Sequence, residues 1–99
     1  MKFMVAWDIP AENWLSVCKV FSSMSPAERA NYGDGVKAIG RWHDVVGRKG
    51  VVIVESDSLA AVQRYMGKWN PYMGLQIAPV VGDEEAAVVL GQIAADNNA

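Results

Sequence analysis

The chain is poor in the side chains that most enzyme chemistry uses. It holds one cysteine, Cys18, and one histidine, His43, in 99 residues. A lone cysteine excludes an intrachain disulfide. One histidine, one cysteine and scattered carboxylates give no metal-ligand spacing, and Cys18 falls on an apolar helix stripe, so no metal and no cofactor are expected. Charge is never gathered into a block: 9 basic and 11 acidic side chains leave a net charge of −2. Without a basic run there is no footprint for nucleic acid and no polybasic patch for a membrane surface. No glycine-rich phosphate loop is present, because Gly33-Asp34-Gly35 precedes a strand instead of joining a strand to a helix. No serine has a visible base: Ser16, Ser22 and Ser23 read as helix surface and the others as caps. Long hydrophobic runs are missing too. The opening stretch MKFMVAWDIP has five apolar residues between Lys2 and Asp8, too few for a signal-peptide core or a membrane span. The expectation is a soluble, cytoplasmic protein of one domain, residues 1–99.

What the chain does have is apolar surface, with a hydrophobic fraction of 52%. A chain of this length buries only about 60–70% of its unfolded surface when it folds alone, so the surplus points to an interface. The surplus is concentrated in two strand-like runs, Phe3-Met4-Val5-Ala6-Trp7 and Val51-Val52-Ile53-Val54. A strand with one wet face alternates apolar and polar residues. These two do not alternate, so both faces of their sheet need a cover. The few short helices suffice for one face, and a second copy of the chain is the economical cover for the other.

Lys2 to Asp8 reads as the first strand. A helix follows, with Trp14, Val17, Cys18 and Phe21 forming one stripe. Ser25-Pro26-Ala27-Glu28 starts a short second helix as a capping box with proline at its first position. The second strand spans Val36 to Asp44. Val36, Ala38, Gly40 and Trp42 share one parity, and Lys37, Ile39, Arg41 and His43 the other. Gly47 to Gly50 is a hairpin loop and Gly50 to Glu55 the third strand. Ser56-Asp57-Ser58 caps a helix carrying Leu59, Val62, Tyr65, Met66 and Trp69, which Asn70-Pro71 stops. Met73 to Val81 is the fourth strand, an edge strand because Pro79 cannot donate a ladder hydrogen bond. A terminal helix runs from Gly82-Asp83 to about Ala95, with Asp83, Glu84 and Glu85 in its first turn, and the Asp96–Ala99 tail is expected to fray. This order predicts an α+β, ferredoxin-like βαββαβ fold with an extra C-terminal helix and a four-stranded antiparallel sheet of order 4-1-3-2. That order puts the two doubly apolar strands in the middle.

A ferredoxin-like unit with an apolar outer sheet face resembles the dimeric α/β-barrel superfamily, in which two sheets pack face to face. MKFMVAW (Met1–Trp7), GRWHD (Gly40–Asp44) and PVVGDEEAA (Pro79–Ala87) resemble, more narrowly, a small bacterial family of uncharacterised domains within it. The resemblance spans nearly the whole chain. It implies a homodimer formed through the outer sheet face and a pocket between sheet and helices. It transfers no mechanism, since the superfamily carries many activities on one fold.

Two groups of residues are candidates for a site. His43 is placed to act as a general base or to hydrogen-bond a ligand. Arg41, two residues away on the same face, is suited to hold an anion such as a carboxylate. Asp44 and Asp8 are the nearby acids. Trp42, Tyr65 and Trp69 are read as the lining of an aromatic cleft for a flat apolar ligand, with Asn70 and Tyr72 at its mouth. The parity of strand two points Trp42 toward the helices, unless Gly40 marks a bulge that exchanges the faces of Trp42 and His43. His43 as a structural residue and the aromatics as plain core filling remain open alternatives. The functional expectation is a homodimer binding a small apolar or aromatic molecule, with or without catalysis. The alternative is a non-catalytic dimerisation or regulatory module with its pocket filled by its own side chains. That alternative requires that no cavity be lined by His43 or Trp42.

Overall fold

In a computed structural model, which describes residues 1–98, the chain forms four strands and four α-helices. They are β1 (Lys2–Asp8), α1 (Trp14–Ser23), α2 (Pro26–Ala30), β2 (Lys37–Asp44), β3 (Lys49–Glu55), α3 (Leu59–Met66), β4 (Gly74–Val80) and α4 (Asp83–Asn98). A short 3-10 turn, Ala11–Asn13, leads into α1. The strands make one sheet of order β2-β3-β1-β4, with every neighbouring pair antiparallel. This is the 4-1-3-2 order of a ferredoxin-like α+β fold. Pro79 lies on the edge strand β4, opposite Phe3, where its missing N–H costs no ladder bond.

The sheet has one covered face. Phe3 and Val5 of β1, Val52 and Val54 of β3, and Val62 and Met66 of α3 form a buried core with Tyr32. A smaller cluster of Ile9, Val17 and Met73 continues it toward α1. Two local devices hold the helices in place. Ser25 and Glu28 close the expected capping box at the start of α2, and the Ser58 hydroxyl accepts from the Ala61 N–H at the start of α3. The hydrogen bonds that Ser25 donates from its backbone and side chain hold the Glu28 carboxyl below its ordinary range.

The outer face carries two apolar rows across the sheet. One joins Trp42, Val51 and Ala6, and the next joins Gly40, Ile53 and Met4, with Ala78 beyond. Charged rows frame them: Lys37, Glu55 and Lys2 at one end, and Asp44, Lys49 and Asp8 at the other. Met4 and Trp42 stay exposed.

Two ends depart from the sequence reading. Helix α3 stops at Met66 and gives way to tight turns through Trp69 and Tyr72, so Trp69 is delivered by a turn. At the other end, α4 continues through Asn98, where the sequence reading has a frayed tail; Asn97 caps it locally by donating to the Ile93 carbonyl at 2.8 Å. Ala99 lies outside the described residues. Among the described residues, no helix is long and apolar enough to cross a membrane.

Candidate functional site

A cavity of about 410 Å³ lies between the inner sheet face and α1. The helical stripe of Trp14, Val17, Cys18 and Phe21 supplies one wall. Trp7, Val52 and Leu75 supply the sheet side, and Tyr65, Met66 and Trp69 the end under α3. The lining is mostly aromatic and aliphatic. Arg41 and His43 are its charged or titratable nitrogen groups, and no acidic side chain lines it.

His43 reaches this cavity through a row of three strands. Trp7, Gly50 and His43 stand side by side on β1, β3 and β2. A side chain on the middle residue would run into the Trp7 indole. Glycine therefore lets the indole lean across until its ring meets the His43 ring edge-on, with centroids 5.4 Å apart. Phe21 of α1 approaches His43 from the helix side at 5.1 Å. His43 as a whole stays exposed, and the partial burial of its ring, followed by the charge of Arg41, lowers its pKa from the ordinary value of 6.5. Both effects oppose the imidazolium. The imidazole is thus neutral at pH 7 and able to accept a proton.

Arg41 is anchored by neutral groups. One guanidinium nitrogen donates to the Arg29 carbonyl at 3.0 Å and also to the Tyr32 hydroxyl. Its charge lies 5.1 Å from the Phe21 ring centre and 5.6 Å from that of Tyr32, within reach of a cation–π attraction. The Tyr32 ring packs against that of Tyr65 at a tilt of 51°, centroids 4.7 Å apart, and the Trp69 indole donates to the Tyr65 hydroxyl at 3.3 Å. One continuous string of side chains thus runs from Arg41 through Tyr32 and Tyr65 to Trp69. Burial raises the Tyr32 pKa, with Arg41 opposing the shift, so its hydroxyl stays protonated.

Four of the five candidate residues meet here: Arg41, His43, Tyr65 and Trp69 line one cavity. Trp42 does not. A bulge between Ala38 and Gly40 shifts the register of β2 against β3 and inverts the parity of everything after it. Ala38 packs on the core, while Arg41 and His43 turn inward and Trp42 outward, 61% exposed. The Trp42 ring lies over the bare α-carbon of Gly40, which leaves no room for a Cβ there. The two residues named for the mouth lie elsewhere: Asn70 donates to the Met73 carbonyl and Tyr72 is exposed, neither lining the cavity. Asp44 accepts from the Gly47 N–H at 2.9 Å and serves the hairpin, and Asp8 pairs in the outer row with Lys49. Sequence reasoning missed Tyr32 and Arg29. Tyr32 sits in a loop with no periodicity to flag it, and Arg29 gains meaning only from its fold neighbours. Among the described residues no group of three His, Cys, Asp or Glu side chains is gathered closely enough to hold a metal ion.

The fold and cavity define a class: a ferredoxin-like α+β domain with an aromatic-lined pocket between sheet and helices. More particularly, the chain belongs to the family described as a domain of unknown function, DUF3303, whose profile matches residues 1–94. No curated protein matches it. Among solved structures, a candidate antibiotic biosynthesis monooxygenase from Deinococcus radiodurans is similar over 84% of this chain and 95% of its own, at 12% identity and a TM-score of 0.42.

Proposed function

We propose that this protein is a homodimer that binds a small apolar or aromatic molecule in the cavity under α1, with His43 transferring a proton at its wall. The observation that carries this reading is the composition of the cavity. Its volume of about 410 Å³ lies at the compact end of ligand pockets, which run from about 300 to 1,000 Å³. Its apolar walls converge on a neutral imidazole, one guanidinium and two phenol hydroxyls. In this reading Trp7, Tyr65 and Trp69 clasp the ligand, Arg41 holds whatever negative charge it carries or develops, and His43 acts as base. The reading of a module with a filled pocket is disfavoured, because His43 lines a cavity.

Self-association is supported by shape and surface. The radius of gyration is 16.4 Å, against about 13 Å for a compact chain of this length. The excess reflects α4, of whose residues only Ala86 is even half-buried. The two apolar rows of the outer sheet face need a cover, and the charged rows at their ends are opposite in pattern. A two-fold axis across the strands would lay Lys37, Glu55 and Lys2 on Asp44, Lys49 and Asp8 of the second copy, pairing opposite charges. Trp42 then belongs to the interface.

Three tryptophans of the cavity make the test direct. A flat apolar probe such as naphthalene is expected to quench or shift their emission saturably. The His43→Ala variant is expected to abolish turnover of any substrate found by library screening while leaving the melting temperature unchanged. A large fall in melting temperature with activity retained would return His43 to a structural role.

A further inference from the structure

Beyond the wall of the main cavity lies a second, more open hollow of about 470 Å³. The two spaces share Phe21, Tyr32, Arg41 and His43. The hollow adds a second guanidinium, Arg29 of α2, and no carboxylate lines either space. Both charges are held in place by neutral partners. Arg29 donates through Nη1 to the Met24 carbonyl at 2.8 Å, and Arg41 donates through Nη1 to the Arg29 carbonyl and the Tyr32 hydroxyl. Among the described residues, every hydrogen bond found for these two groups runs through Nη1, so the remaining N–H donors of both forks are left for a ligand. The two guanidinium carbons stand 5.8 and 5.1 Å from the same Phe21 ring centre. Arginine forks fixed in this way favour bidentate contact with a planar oxyanion. Arg41 borders both spaces and Arg29 the open hollow, with no acidic side chain lining either to neutralise them.

We infer that the ligand is an amphiphilic acid whose flat apolar body fills the tryptophan-lined cavity and whose carboxylate is held by Arg41 and Arg29 in the adjoining hollow. This rests on the binding reading above and names its ligand class. It makes Arg29 a specificity residue: it touches the anionic head and leaves the apolar body alone.

The probes are 2-naphthoate and its neutral isostere 2-naphthamide, titrated against the full chain by tryptophan fluorescence and calorimetry. The acid is expected to bind about tenfold or more tightly than the amide, the margin of a charge-assisted hydrogen-bond pair. Arg29→Gln is expected to erase most of that margin, and Arg29→Lys to keep part of it. Should both probes bind equally, with Arg29→Gln without effect, the anion subsite is overturned while the cavity stands as a binding site. Should neither bind the wild-type protein, both readings fall together. If Arg29→Gln does not fold, the Arg29→Lys variant and the salt dependence of the wild-type margin decide: a margin unmoved by high salt overturns the subsite.

Discussion

The imidazole of His43 is neutral because its surroundings penalise its charge, and that penalty is a statement about stability as well as chemistry. Its folded pKa is lowered from 6.5 by partial burial of the ring and then by Arg41. Below pH 6.5 the unfolded chain takes up a proton that the folded chain resists. The unfolded state then binds more protons, so stability falls as pH drops from the ordinary value toward the lowered one, and it is regained above. Melting temperatures between pH 7.5 and 5 are expected to fall more steeply for wild type than for His43→Gln. Parallel curves would mean that the folded chain does not lower the His43 pKa. The same shift sets the acid limb of any base-catalysed rate below the usual imidazole range.

At the scale of elements, the site is made by what two glycines allow. Gly50 lets Trp7 reach His43 across β3, and Gly40, just past the bulge that turns Arg41 and His43 inward, leaves room for the Trp42 ring on the outer face. Gly50→Ala places a methyl group against the Trp7 indole and near the Trp42 carbonyl. It is expected to cost about 1–3 kcal/mol in chemical denaturation, as for other overpacked sites, and to weaken ligand binding by parting Trp7 from His43. A variant as stable as wild type with unchanged binding would remove the row Trp7–Gly50–His43 from the site. Much of this was legible in the sequence. The unbroken apolar runs identified β1 and β3 as central, Pro79 marked the edge, and the spacing of Trp14, Val17, Cys18 and Phe21 marked the apolar stripe of α1, which only the structure shows to line a cavity. The face of Trp42 was not legible by parity alone, because one extra residue in β2 reverses every side chain beyond it. Tyr32 and Arg29 were not legible either: they join the site through contacts between α2 and β2 that no local pattern encodes.

At the scale of the whole molecule, the inner face of the sheet holds the aromatic-lined cavity and the outer face holds the surplus of apolar surface. The same antiparallel ladder serves both, so β2 turns Arg41 and His43 to one side and Trp42 to the other. Ile53, at the centre of the outer rows between Gly40 and Met4, is the place to separate the two roles. Ile53→Lys is expected to yield a folded monomer that still binds an apolar probe. A dimer in that variant would move the interface elsewhere, α4 being the next apolar surface with Val88, Leu90 and Ile93 exposed. The most direct test of the central claim is native mass spectrometry of the wild-type protein as purified, and again after addition of naphthalene, with a denatured control. A dimer that takes up the small molecule non-covalently, one per cavity, is the expected result. A monomer that takes up nothing would contradict both the covered outer face and the binding cavity.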